Sequence, residues 1–314
     1  MLVEVTFKPK GLVGSPIRSF TLFGAICWGI KYLYSEEKLL DMLSEFSQGK
    51  PPFLVSSPVY EVGGTLYFPK PQMKLGGKDY CEGTKENYSK LKKLKKASLV
   101  DEETFRGFLE GRIKTLTDIQ ITKTQSVPIK KLLIPHASIN RITNTTAGGE
   151  YYTEEAYHVN TFKVFIRFFD TSYKEPVLSA LRFVPIGKNK STGFGHFEVE
   201  AKELKEHWIK DYLQPQSDKM VLISESFYDP DFDLDRSLYD TFVYTGAVEN
   251  YYERMTRFLW KKRMLYLSAG SVMHLKQRKD YYGSLKVALQ DNQRTIYQYG
   301  FAFGLFVREG NGTA

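Results

Sequence analysis

The sequence predicts an α+β protein built from two ferredoxin-like (RRM-like) βαββαβ domains, the second degenerate, with a glycine-rich loop and a protruding hairpin on the first. Three observations carry this expectation. The chain opens on the alternating Leu2-Val3-Glu4-Val5-Thr6-Phe7, followed by apolar residues at helical spacing, Leu22, Phe23, Ile26, Ile30 and Leu33. The second half of the same βαββαβ unit follows: Thr161 to Phe168 alternates with period two, Pro176 to Phe183 reads as a short helix, and a glycine loop leads into Phe197-Glu198-Val199. Finally, 314 residues with 42% hydrophobic composition supply core for two domains of ordinary size.

Val3, Val5 and Phe7 share one face of the opening strand, which the turn-rich Lys8-Pro9-Lys10-Gly11 ends. Ser19 offers an N-cap to the first helix. A second amphipathic helix is expected over Ser35 to Phe46, then Pro51-Pro52 and short strands at Phe53 to Ser57 and Thr65 to Phe68. From Pro69 the composition turns polar and basic, with Lys85, Lys90, Lys92, Lys93, Lys95 and Lys96 close together, so residues 69–125 read as an insertion. Such a run serves equally as a solvated helix face or as a nucleic-acid contact. Residues 128–157 read as a long hairpin turning at Asn144 to Gly149, and the first domain as 1–202.

A polar helix is expected near Glu203 to Asp211. The second domain, 212–314, holds strand-like stretches at Lys219 to Ser224, Thr241 to Val248, Phe258 to Leu267 and Tyr299 to Val307, with a helix from Leu285 to about Ile296.

Composition narrows the function. A net charge of +8 and a pI near 9.1 favour an acidic partner, nucleic acid ahead of a membrane surface. The two cysteines, Cys27 and Cys81, have no CxxC or Cys/His companion, which argues against structural zinc or a disulfide framework and fits a reducing cytoplasm. Phe20 to Ile30 is too short for a bilayer span, and no A-x-A cleavage pattern follows it, so a cytoplasmic protein with no membrane attachment is expected. Asp229 to Asp235 imitates a calcium loop, but Leu234 stands where glycine is required and Asp240 where glutamate is. No metal and no cofactor is expected.

The chemistry concentrates in three clusters. In Ile186 to Phe197, Gly187, Gly193 and Gly195 let backbone N–H groups converge on an anion, and Lys188 and Lys190 add charge. Asn189, Ser191, Thr192 and Phe194 complete that loop. It is not a nucleoside-triphosphate loop, because Gly187-Lys188 is followed by Asn189 rather than Ser or Thr. The hairpin carries His136, Asn140, Arg141 and Thr143, groups able to stack on and hydrogen-bond a splayed RNA strand. Ser15, Arg18 and Ser19 stand ahead of the first helix, where free N–H groups and the helix dipole hold phosphate.

Ser19 to Trp28 (SFTLFGAICW) is similar to the SDTLFGAICW opening of repeat-associated CRISPR proteins. His136 to Thr143, with Glu150-Tyr151-Tyr152 beyond it, resembles their H-x-x-I-x-R-x-T hairpin, and Ser191 to Glu198 their glycine-rich loop. Together these resemble the RAMP-superfamily proteins that form the fourth subunit of the type III-A CRISPR effector, the Csm complex. The resemblance spans nearly the whole chain, with support from Phe258 to Lys262, Ala269 to Val272 and Gly300 to Phe303. It implies a non-catalytic RNA-binding subunit that holds the 5′ tag of the guide RNA. It further implies docking to the large polymerase-like subunit and to a neighbouring backbone RAMP subunit, with the hairpin as a thumb at the guide–target duplex. Phe20 stands where the opening motif has aspartate, so no carboxylate role carries over to it. The alternative is a guide-RNA-processing endoribonuclease of the same superfamily. Such enzymes commonly use a histidine near the first helix as general acid or base, and this chain has none before His136, although His136 and His196 remain possible partners.

Overall fold

The computed structural model describes residues 1–76, 92–119, 129–249, 260–290 and 295–308, with the side chains of 147–150 excepted. Strand β1 (Leu2–Pro9) is an interior strand of an antiparallel sheet, and its Val3, Val5 and Phe7 are buried in the core. Helix α1 (Ser19–Leu33) and helix α2 (Glu36–Ser47) follow, then β2 (Phe53–Val55), β3 (Val59–Val62) and β4 (Thr65–Pro69). Ser35 caps α2 by accepting from the Lys38 N–H, and Glu36 and Glu37 complement the dipole of its first turn.

The basic segment contributes β5 (Leu99–Asp101) and helix α3 (Glu102–Leu109), so it is not merely a solvated insertion: Phe105 stacks on Phe68 with ring centroids 4.6 Å apart. Lys85 and Lys90 lie outside the described residues. Lys92, Lys93, Lys95 and Lys96 are exposed on a short helical stretch that Leu94 anchors in the core. Strands β6 (Ile129–Ile139) and β7 (Thr146–Val159) form a separate two-stranded ladder, turning at Asn140 to Thr145. Strand β8 (Phe162–Phe168), helix α4 (Lys174–Phe183) and β9 (Phe197–Glu203) complete the first half.

The main sheet runs β5-β4-β3-β8-β1-β9, with β2 pairing β8 beside β3. Every pairing in it is antiparallel. Helix α1 packs on α4 at Gly29, where a Cβ would lie 2.3 Å from Ala180 Cβ; only glycine allows the two helices this close.

Beyond the four-residue helix α5 (Trp208–Asp211) come β10 (Lys219–Leu222), β11 (Phe232–Leu238), β12 (Thr241–Tyr244), β13 (Met264–Leu267), β14 (Val272–Leu275), β15 (Gly283–Gln290), β16 (Thr295–Phe301) and β17 (Gly304–Phe306). They pair as β11-β14-β10-β17, β12-β13 and β15-β16. The two halves share one buried core: Val221, Ile223, Phe227, Tyr266, Tyr299 and Phe301 belong to the same cluster as Val5, Phe23 and Phe165. Phe23 stacks on Tyr299 at 4.6 Å, and the Tyr299 hydroxyl accepts from the Val55 N–H at 3.1 Å.

Several expectations need correction. Leu285 to Ile296 is not a helix; its described residues belong to β15 and β16, which pair from Gly283↔Phe301 to Gln290↔Thr295. A register shift between Val287 and Leu289 buries Ala288 and Leu289 side by side, and that bulge imitates helical spacing in a strand sequence. The expected strand over Tyr299 to Val307 is broken between β16 and β17. The strand and helix expected over Thr241 to Val248 and Glu203 to Asp211 shrink to four residues each, and β13 begins only at Met264.

Ser19 is not an N-cap. Arg18 holds that position without a side-chain bond, while Ser19 is fully buried and its N–H donates to Ser57 Oγ at 3.1 Å and to Glu225 Oε2 at 3.2 Å. The cap of α1 is therefore a carboxylate from the other half of the chain. Two carboxylates of the acidic run are used internally as well: Asp229 accepts from the N–H groups of Asp231 and Gly283 and pairs with Lys279, which also holds Asp231. Among the described residues no helix is long and apolar enough to cross a membrane.

Candidate nucleic-acid interface

The glycine loop joins α4 to β9, and its ends are closed by backbone bonds. Ile186 N–H donates to Gly195 O at 2.9 Å, Gly195 N–H to Leu12 O at 2.9 Å and Lys10 N–H to His196 O at 2.9 Å. Four residues adopt left-handed backbone, Gly187 (φ 96°), Asn189 (61°), Gly193 (91°) and Gly195 (73°). Gly195 is the tightest, since a Cβ there would lie 2.0 Å from Ile186 O. A single 3₁₀ turn over Lys190–Thr192 consumes the N–H groups of Thr192, Gly193 and Phe194 on carbonyls of Asn189 and Lys190. The N–H groups of Gly187, Lys188, Asn189, Lys190 and Ser191 have no acceptor among the described residues. Consecutive unpaired N–H groups in a turn that visits left-handed backbone make an anion-binding concavity.

Two other sequence clusters converge here in part. Gly14 is buried against the loop, because a Cβ there would meet Lys188 O at 2.6 Å, and the corresponding position on Gly187 lies 3.3 Å from Ser15 Oγ. Val13 exchanges N–H···O bonds with Tyr157 of β7 at 2.9 and 2.8 Å. The pre-helix segment, the loop and the hairpin base thus form one surface. Ser15 lies on it. Ser19 does not, which withdraws it from the expected contact set, because its hydroxyl donates to Glu225 at 2.9 Å inside the core. Arg18 is half-buried, its guanidinium 4.0 Å from the centroid of the Phe242 ring.

No protein-family model matches the sequence, and no curated protein matches it. Solved structures do. A chain in the crystal structure of a Csm1-Csm4 cassette in complex with cA4 is similar with a TM-score of 0.62 and 19% identity over 99% of both chains. A chain of a Csm3-Csm4 subcomplex from the type III-A CRISPR-Cas interference complex gives 0.61 and 17%, covering 98% of this chain and 100% of that one. The subunit common to both is Csm4. This chain has the Csm4 fold.

On this Csm4 fold the hairpin-tip cluster stands apart from the glycine loop. Lys131 opposes Tyr157 at the base, and the eight residues from there to Ile139 extend the ladder by roughly 25 Å at the usual rise per residue. At the tip Asn140 Oδ1 accepts from Ile142 N–H at 2.9 Å and Thr143 N–H at 3.4 Å, and the Thr143 and Thr145 hydroxyls lie 2.8 Å apart. Asn140 and Thr143 therefore shape the turn, leaving Arg141 and the 93% exposed Ile142 projecting from it. His136 lies midway along the ladder, stacked on Tyr152 with centroids 5.1 Å apart and its Nε2 3.6 Å from Glu154.

What sequence reasoning missed is the set of carboxylates around the loop. Glu249 accepts twice from Lys190 Nζ, at 2.7 and 3.0 Å, leaving that side chain only 11% exposed. Glu154 accepts from Asn189 Nδ2. Glu155 bonds Lys131 at 2.5 Å, and that contact, with a bond from Tyr157 and the field of Lys188, holds its carboxyl below the usual range. No local signal ties Glu249 to Lys190, 59 residues away. Lys188, Ser191 and Thr192 remain exposed at the crest of the Csm4-fold loop.

Proposed function

We propose that this chain is the Csm4-type subunit of a type III-A CRISPR effector and holds the 5′ tag of the guide RNA without cutting it. The observation that carries the reading is the run of five N–H groups from Gly187 to Ser191 with no acceptor among the described residues, in a loop with an exposed Lys188 beside Ser15 and the hairpin base. The tag's phosphates fit that concavity, while Arg141 and Ile142 at the hairpin tip meet RNA further along. The solved chains of this fold occur with Csm1 and with Csm3, which supports docking to a large polymerase-like subunit and to a backbone subunit. We read residues 1–202 and 212–314 as two ferredoxin-like units, the second degenerate. The order β9-β1-β8-β2/β3, with α1 and α4 as the connecting helices, supports the first.

The test is a gel shift and cleavage assay with labelled guide RNA, with and without its 5′ tag. Retention of uncut RNA that depends on the tag is expected, and a discrete product from the chain alone would make it a processing nuclease. The structure also separates the two loop lysines. Lys188→Ala should flatten the plot of log affinity against log salt by about 0.7, one single-strand phosphate contact. Lys190→Ala should do less, because Glu249 already neutralises that ammonium, and Glu249→Gln should strengthen binding. Equal slopes for wild type and Lys188→Ala would remove Lys188 from the grip.

A further inference from the structure

The ion pair between Lys190 and Glu249 joins the glycine loop to a second surface. Glu249 lies in the stretch that follows β12, where Ala247 forms a bridge with Trp260 and Gly246 O accepts from Lys261 N–H at 2.9 Å. Lys262 N–H donates to Ala288 O of β15 at 2.8 Å, so Trp260 to Arg263 is anchored through its backbone to both neighbours before it enters β13. Lys261 points inward to Gln298 Oε1 at 3.2 Å, and burial lowers its pKa. Trp260 is 59% exposed, and Lys262 and Arg263 are exposed beyond it. In the neighbouring β12–β13 ladder the cross-strand pair Val243 and Leu265 is 60% and 61% exposed, while Phe242 and Tyr266 stack at 5.5 Å.

Lys8, Lys131, Lys174 and Lys190 all pair with carboxylates, yet neither Lys262 nor Arg263 does so among the described residues. An exposed indole followed by two cations with no carboxylate partner among the described residues suits a base with its flanking phosphates better than an apolar protein surface. We propose that Trp260, Lys262 and Arg263 form a second contact for single-stranded RNA, with a base stacked on the indole and phosphates on the two cations. This rests on the RNA-binding reading above and continues the path from the glycine loop across the Lys190–Glu249 pair.

The experiment titrates the full chain with guide RNA, comparing Trp260→Ala, Trp260→Phe and the double variant Lys262→Ala/Arg263→Ala, with Lys188→Ala as the loop control. Trp260→Ala should weaken binding about tenfold, as loss of one stacked base does, and Trp260→Phe should restore most of it. The double variant should reduce the salt slope by about 1.4, two single-strand phosphates. Weakening by Lys188→Ala alone would overturn this site while leaving the loop reading in place. Loss of co-purification with a Csm1-like subunit, at unchanged RNA affinity, would also overturn it and make the patch a protein surface. An absence of RNA binding by the wild type would sink both readings. Because all three side chains are exposed, matching circular dichroism should establish that the variants fold.

Discussion

Replacing Glu225 by alanine should cost about 3 kcal/mol of stability or more, the cost of leaving buried donors unpaired. Glu225 is 6% exposed and accepts from the Ser19 N–H, the Ser19 hydroxyl and the Ser57 hydroxyl, whose residues are equally buried. Alanine takes the acceptor from the Ser19 and Ser57 hydroxyls, leaves the Ser19 N–H only its 3.1 Å bond to Ser57 Oγ, and removes a carboxylate from the positive end of a 15-residue helix. Glu225→Gln should be milder, since it keeps one acceptor oxygen. Adding Ser19→Ala and Ser57→Ala to Glu225→Ala should recover part of the loss, because fewer donors are then stranded. Denaturant unfolding decides the matter. A Glu225→Ala chain as stable as wild type would show that this cluster does not bind the two halves together.

Gly195→Ala should damage the glycine loop, proposed above to hold RNA, more than any other single methyl group placed in it. The φ of 73° costs an L-residue about 1–2 kcal/mol, and the new Cβ would sit 2.0 Å from the Ile186 carbonyl, a backbone atom that must move with the loop. Movement of Ile186 breaks the bond from its N–H to Gly195 O and, with it, the anchorage of Leu12. A stability loss of about 2–4 kcal/mol and at least a tenfold loss of guide-RNA affinity are expected, within the range for strained backbone sites. Gly193→Ala is the comparison: its φ is 91° but no atom lies within 4 Å, so it should carry the conformational cost alone. Equal unfolding and binding curves for the two variants would show that close approach to Ile186 does not shape the loop.

Much of the first half was legible because its signals are local. Period-two alternation in Leu2 to Phe7 and Thr161 to Phe168, and 3.6-residue spacing in Leu22 to Ile30, follow from which side chains must face the core. The glycine loop was legible because glycine and basic residues at short spacing have few other physical uses. The second half was less so. Its strands are four to eight residues long where they are not shorter, and a bulge in β15 places Leu285, Ala288 and Leu289 at the spacing of a helix. Ser19 illustrates the same limit at the site. A serine ahead of an apolar helix reads as a cap, yet the acceptor that decides its role lies 206 residues away.

By itself the sequence determined the α+β class, the position of the glycine-rich loop and the three clusters of polar residues, since each depends on neighbours within about ten positions. Tertiary structure alone decided which of those residues stay exposed and which are held by other protein groups. Packing of Gly14 on Lys188 and of Val13 on Tyr157 assembled the surface, and Glu249, Glu154 and Glu225 claimed Lys190, Asn189 and Ser19 for the protein itself. The reason is physical: a buried donor or a confined cation takes the nearest acceptor in space, and distance along the chain places no limit on where that acceptor comes from.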